Sequence, residues 1–458
     1  MSAVFHRHCH TILPEAVSGR GIYLYDENGK AYLDGCGGAA VSNLGHQHPD
    51  VITAVCAQLN KMAYAHSAFF TSKPAEELAQ LLVDKAGVAF SHTYFVSGGS
   101  EANESALKLA RQYFVEQGKS AKSYIIARQQ SYHGNTLGAL GSGGNIWRRA
   151  PFDPLLRSAV LIPPCYAYRY QDADESCERY ARRSADELEK AILQLGADNV
   201  MAFIAEPIVG ATAGVVPAAK GYFQRVRQIC DQHDILLIMD EVMCGVGRTG
   251  SFYAFEQEEV VPDIVTLAKG LSGGYQSLGA VVVQKKLFQA IAQGSGFFQH
   301  GHTFMAHSAA CAAGVAVCNV IDRDSLLSQV KRQGELLQYL LAQKIGRHPH
   351  VGQIRGRGLF IGIELVADKE SKAPFAERSD LVQQIKNAAL SHGLMCYPMS
   401  GTIDGRQGHH ILLAPPFIIT TTQCGELVDK LALALDDVFV SSPKIVSEPR
   451  ELTRGALK

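Results

Sequence analysis

A chain of 458 residues with 47% hydrophobic and 19% charged side chains has apolar mass for a large core and, by length, for two or three domains. Its net charge of −1, with no basic block and no Arg/Lys stretch interleaved with aromatics, argues against nucleic acid as a partner. No apolar run approaches the roughly 18 residues of a membrane span, and residues 1–20 carry His, Arg, Glu and Pro in place of a secretory core, so the expected location is the cytoplasm.

Residues 22–34 alternate apolar and polar on either side of Asn28-Gly29, which predicts a β-hairpin. A glycine-dense loop follows through Gly35, Gly37, Gly38 and Gly45, and Pro49 opens an amphipathic helix to about Met62. Thr93 to Val96 then read as a buried strand that runs into Ser97-Gly98-Gly99-Ser100, with a long helix to about Gln117 and Ser100 as its expected cap. Strand, glycine turn and helix N-terminus together make an anion site, because free backbone N–H groups and the helix dipole converge there. The spacing matches neither the dinucleotide fingerprint nor the NTPase loop.

Further strands are expected at 123–127, 159–162, 201–205, 236–240, 264–267 and 280–283, with helices at about 185–195 and 218–233. This alternation predicts an α/β fold, in which a large domain carries a mainly parallel seven-stranded sheet covered by helices. Between the strands, Tyr132 and His133 fall in a loop, Gly141 to Gly144 read as a turn, and Asp172 to Lys190 as a solvated loop and helix. Thr303 precedes an Ala-rich helix at about 307–321, which it caps or beside which it offers a hydroxyl to an anion. From 322 the character changes to a long helix to about 345 and one antiparallel-style strand over 354–365. We assign residues 1–70 and 322–440 to a smaller α+β domain, 71–321 to the large domain and 441–458 to an exposed tail; no internal repeat is found.

Ligands of such sheets bind beyond the carboxyl ends of the strands, and four ends carry polar groups. These are the 97–100 turn, Glu206, Asp240 and Lys269. A lysine after a strand is commonly a solvated edge residue, and an Asp there can serve a ribose, a metal or nothing. Together at one edge they are what a pyridoxal phosphate site needs: an amine to hold an aldehyde and an anion to keep the ring nitrogen protonated. Tyr132 offers a face for a flat heterocycle, or packs in the core. The 11 cysteines are scattered without a C-x-x-C pair, and Cys244, Cys311 and Cys318 read as reduced core residues. The 17 histidines fall singly or as exposed-looking pairs such as His409-His410, without metal-site spacing, so no metal is expected.

Laid out in this order, the segments 21–45, 97–102, Tyr132-His133-Gly134, Glu206-Pro207, Asp240-Glu241-Val242, 267–270, His302-Thr303-Phe304, 356–365 and Ala414-Pro415-Pro416 resemble a class III pyridoxal-phosphate aminotransferase of fold type I. The resemblance covers nearly the whole chain. It implies pyridoxal 5′-phosphate bound covalently to Lys269, with Asp240 on the ring nitrogen and Tyr132 and Val242 flanking the ring. Ser97, Gly98, Gly99 and Ser100 would serve the phosphate, with His133 near the cofactor and Glu206 in a supporting network. Thr303 would reach the cofactor of the neighbouring subunit, which implies a homodimer.

Two departures bear on substrate. Members acting on ornithine, acetylornithine or γ-aminobutyrate resemble one another in an arginine two positions before Ala-Pro-Pro and a glutamate that shields it; here these are Leu412 and Ala211. A glutamine common after Asp-Glu-Val is Met243, and an aromatic common in the glycine loop aligns near Ala40. The remaining pattern is similar to the ω-amino-acid and amine:pyruvate branch, in which Arg406 is the candidate for the keto acid carboxylate. The expected activity is transfer of an amino group from an ω-amino acid or primary amine to a 2-oxo acid, with pyruvate favoured, by a ping-pong route. The same cofactor also serves decarboxylases, aminomutases and lyases. From another class, a nicotinamide-dependent oxidoreductase is opposed by the missing glycine fingerprint.

Overall fold

The structure is a computed structural model that describes residues 3–376 and 380–439; the tail expected at 441–458 lies outside the described residues. Its centre is the expected seven-stranded sheet. Across it run Phe90–Val96, Gly279–Gln284, Ile264–Leu267, Leu236–Asp240, Val200–Ala205, Tyr124–Arg128 and Val160–Ile162. All neighbours pair in parallel except Gly279–Gln284, which is antiparallel to both of its partners. The central strands Val200–Ala205, Leu236–Asp240 and Ile264–Leu267 are buried at every residue, because helices cover both faces.

Register aligns the polar strand ends. Asp240 pairs with Thr266, so Lys269 follows just beyond the neighbouring strand, and Met239 pairs with Ala205, which brings Glu206 opposite Asp240. Two strands further on, Val96 pairs with Gly279, and the helix Gly99–Glu116 departs from the turn after it.

Two smaller antiparallel-rich sheets flank this unit. The expected hairpin forms as Tyr23–Asp26 and Ala31–Asp34, with Gly29 at φ +77° and the Asp26 carboxylate accepting from the N–H groups of Asn28 and Lys30. It extends on one side to Ala16–Arg20, a strand the sequence hid behind Gly19; a side chain at Gly19 would meet the His46 ring at 2.7 Å. On the other side Ala31–Asp34 pairs with Leu394–Met395, so chain-distant segments share one sheet. The second sheet orders Val351–Arg357, Phe360–Leu365, His409–Leu413 and Tyr397–Ser400. The single strand expected over 354–365 is therefore two, reversing at Gly358, whose φ of +54° makes the turn.

Several local expectations are corrected. His409 and His410 are buried, because their strand is central in its sheet and not an edge. His410 Nε2 contacts the Ala211 carbonyl at 3.0 Å and Nδ1 the Thr402 hydroxyl at 2.7 Å, and burial lowers its pKa to about 3. The charged stretch expected as solvated holds a helix, Cys177–Leu195, that buries Tyr180, Ala181, Leu188 and Ile192 on one face. Gly141 and Ser142 close the short helix Leu137–Ser142 and are not part of a free turn. A helix Lys73–Ala86, without an expectation behind it, buries Leu78 and Leu82. Cys244, Cys311 and Cys318 are buried free thiols, as expected, whereas Cys9, Cys56 and Cys177 are exposed. No helix among the described residues is long and apolar enough to cross a membrane.

Candidate active site

The carboxyl edge of the sheet opens into a cavity of about 590 Å³, within the range of small-molecule sites. Every residue expected at the site from the sequence lines it, except Thr303 and Arg406.

Asp240 ends its strand with 3% of its surface exposed. Its Oδ2 accepts from Asn103 Nδ2 at 2.8 Å and lies 2.8 Å from His133 Nδ1, and its Oδ1 accepts from the Val242 N–H at 3.0 Å. Asn103 in turn accepts from Thr266 Oγ1 at 2.8 Å and donates to the His133 carbonyl at 2.6 Å. A carboxylate held by three donors has its orientation fixed and its burial offset. Asn103 is a site residue that the sequence reading missed. The available signal was an asparagine in the Ala-rich buried stripe of the helix Gly99–Glu116, where a polar side chain needs a partner.

Lys269 sits in the left-handed backbone region at φ +49°, a conformation costing a β-carbon-bearing residue about 1 kcal/mol. The short turn Lys269–Leu271 holds it there, with the Gly270 carbonyl accepting from Asn43 Nδ2 at 2.8 Å. Burial lowers the Lys269 pKa from 10.5 to about 8, opposed by the nearby Asp240 and Glu206 carboxylates and assisted by Arg148. An amine in that range is still mostly charged near pH 7 but keeps a neutral fraction far larger than an ordinary lysine's, and that fraction can condense with an aldehyde.

Glu206 is buried, and its carboxylate clamps two loops. Oε1 accepts from the Tyr132 N–H at 3.0 Å and Oε2 from the Gly210 N–H at 2.9 Å. Burial raises its pKa, and Asp240 adds to the rise against the opposing effect of His133. The loop carrying Tyr132 is thereby tied to the end of the neighbouring strand.

In the turn 97–100 sterics require a glycine at one position only. A β-carbon at Gly99 would lie 2.7 Å from Val242 Cγ1, while at Gly98 it would project into open space. The helix begins at Gly99 with Gly98 as N-cap, so Ser100 does not cap it. Ser100 Oγ instead donates to Asn135 Oδ1 at 2.9 Å and accepts from the Asn135 N–H, and Glu101 reaches back to the Ser97 N–H at 2.8 Å. The first-turn N–H groups of a helix have no intrahelical acceptor, which leaves this end suited to a phosphate. Pyridoxal phosphate fits the set: an amine, a buried carboxylate, an anion-binding turn, and Tyr132 and Val242 lining the same cavity.

Thr303 is exposed and lies away from this cavity; its carbonyl accepts from the Tyr64 hydroxyl at 2.8 Å. It does not cap the following helix, Ser308–Arg323, whose N-cap is His307. Arg406 is likewise exposed, on a turn where the Asp404 carboxylate accepts its N–H at 2.8 Å. The two departures from the resembling members meet in one place. Ala211 and Leu412 belong to a buried apolar cluster with Ala40, Met243 and Phe360, and Met243 also lines the cavity.

A family model described as "Aminotransferase class-III" matches residues 4–435. An uncharacterized aminotransferase of Schizosaccharomyces pombe is 41% identical over 94% of both chains. A hypotaurine/taurine–pyruvate aminotransferase of Paracoccus denitrificans is 34% identical, covering 95% of this chain and 94% of its own. Among solved structures, the omega transaminase of Pseudomonas jessenii in complex with PMP superposes with a TM-score of 0.89 at 33% identity, over 95% of this chain and 97% of that one.

Proposed function

Because the chain belongs to the class III aminotransferases, we propose that it moves an amino group from an ω-amino acid or primary amine to a 2-oxo acid, with pyruvate favoured over 2-oxoglutarate. The oxidoreductase alternative falls with that membership. The observation that carries the substrate reading is the buried apolar cluster of Ala40, Ala211, Met243 and Leu412 beside the cavity. Where other members keep an arginine and its shielding glutamate, this wall has no charge to offer the second carboxylate of 2-oxoglutarate. An unpaired carboxylate against such a wall costs several kcal/mol.

Pyridoxal phosphate, when bound, supplies a ring that withdraws electrons from the carbon bearing the substrate amine. Asp240, oriented by Asn103 and His133, would hold the proton on the ring nitrogen. Gly98, Gly99 and Ser100 would hold the phosphate at the helix N-terminus, and Tyr132 and Val242, which line the cavity, would contact the ring. Lys269 Nζ, with a pKa of about 8, accepts and returns a proton near neutral pH without a large energetic mismatch. The active unit in this reading is a homodimer in which Thr303 serves the other chain's cavity. Its support is that Thr303 is exposed, as are Phe69, Phe70, Phe297 and Phe304 in one chain.

The test is a donor panel (β-alanine, taurine, γ-aminobutyrate and simple primary amines) against pyruvate and 2-oxoglutarate, read as alanine or glutamate formed. The expected result is a kcat/KM for pyruvate at least about tenfold higher, which corresponds to about 1.4 kcal/mol. Faster glutamate formation refutes the acceptor assignment. Wild-type molar mass in solution, and restored activity on mixing Thr303→Ala with Lys269→Ala chains, test the dimer.

A further inference from the structure

The charge balance of the cavity leaves one requirement unmet. Asp240 and Glu206 line it, and among the described residues Lys269 is the only lysine or arginine that does. Lys269 is committed to the chemistry, so a 2-oxo acid would bring its carboxylate into a site with two anions and no spare cation. Leu412 and Ala211 supply none, and Arg406 is exposed on its loop.

Arg148 is a half-buried guanidinium beside the cavity that has no carboxylate within ion-pair distance among the described residues, whereas Arg7, whose charge also reaches Tyr132, is exposed. Arg148 lies on the short helix Ile146–Arg149, fixed by Asn145, whose Oδ1 accepts the Arg148 N–H at 3.2 Å. Its guanidinium carbon is 4.6 Å from the centroid of Tyr132, a ring that lines the cavity. Its Nε is buried without a hydrogen-bond partner. Adjacent Arg149, by contrast, is fully engaged by the Gly143 carbonyl, Ser158 and Asp153. A buried guanidinium N–H without an acceptor is costly unless a ligand satisfies it. The positive charge of Arg148 also reaches Lys269, after burial one of the influences that depress that amine. The Arg406 loop backs this helix from outside: Gly405, at φ +87°, lies so close that a β-carbon there would be 3.2 Å from the Ile146 nitrogen.

We propose that Arg148, stacked on Tyr132 at the edge of the cavity, is the cation that receives the carboxylate of the 2-oxo acid acceptor. The proposal rests on the transaminase reading above. Stacking on Tyr132 holds the planar fork in one orientation, so little side-chain freedom is lost when it pairs with a carboxylate. An acceptor without a carboxylate has no use for Arg148, and this separates a binding role from mere support of the Tyr132 ring.

Holoenzymes of wild type, Arg148→Gln, Arg148→Lys and Arg406→Gln are assayed with pyruvate and with propanal, which keeps the carbon chain and lacks the carboxylate. Arg148→Gln is expected to raise the KM for pyruvate about 10- to 100-fold, with kcat within about threefold and the KM for propanal within about twofold. Arg148→Lys, with the charge but not the fork, falls between, and Arg406→Gln matches wild type. Parallel rises for pyruvate and propanal in Arg148→Gln, a pyruvate-specific loss in Arg406→Gln alone, or no change at Arg148 each overturn the assignment. Wild type that aminates neither acceptor brings down the transaminase reading itself, and this proposal with it.

Discussion

The strongest quantitative consequence of the site is the displaced ionisation of Lys269. The fall from 10.5 to about 8 corresponds to about 3 kcal/mol at about 1.4 kcal/mol per pH unit. Because the folded value lies below the unfolded one, the neutral amine favours the fold: this stability is fully present above pH 10.5 and is lost as pH falls through about 8. Replacing Lys269 by Met removes the titration and leaves every other group in place. In cofactor-free protein, the stability of wild type relative to Lys269→Met should climb by about 2 kcal/mol between pH 7 and pH 9.5. Urea unfolding of both proteins across that range measures it, since titrations not coupled to Lys269 cancel in the difference. At pH 7 Met should be the more stable, because the wild-type amine is then mostly charged in a desolvated place. A difference that stays constant from pH 7 to 9.5 would show that Lys269 titrates as an ordinary solvated lysine, and the argument for a primed amine would fail.

Three further outcomes are expected. Gly99→Ala forces its new methyl against Val242 at 2.7 Å, which should cost about 1–3 kcal/mol of stability and weaken pyridoxal phosphate affinity, measured by reconstitution of the cofactor-free protein. Asn103→Ala removes one donor from Asp240 Oδ2 and the acceptor of Thr266; kcat should fall about tenfold or more while the KM for the acceptor holds, and a KM-only effect would contradict the role given to Asp240. Leu412→Arg alone should destabilise by about 3 kcal/mol or more, since it buries an unpaired charge; adding Ala211→Glu should restore part of that and raise relative activity with 2-oxoglutarate, and additive losses would mean that the two positions do not face one another.

Local pattern carried much of the site. The apolar runs ending at Asp240 and Lys269 are short, β-branched and bounded by glycine or polar residues, so strand type and the polar residue at each end could be read directly. Their adjacency was inferred, and register confirmed it through the pairing of Asp240 with Thr266. What failed was anything that depends on who sits opposite. His409 and His410 looked exposed because a central strand and an edge strand share the same composition. Ser100 looked like a cap because a serine at a helix start usually is one, yet Asn135, from a different loop, takes its hydroxyl. The strand over 354–365 was drawn as one because only the fold shows Gly358 bending it back.

The sequence by itself determined the order of elements and the chemistry at the tip of each, since hydrophobic period, glycine turns and strand-terminal side chains act over a few residues. Only the tertiary structure decided which of those polar groups lose water and which find partners. Burial and dielectric are set by segments far apart in the chain: Asn103 and His133 around Asp240, Asn43 against the Lys269 turn, Arg148 over Tyr132. The reactivity of the amine is therefore a property of the fold, whereas its position was already a property of the chain.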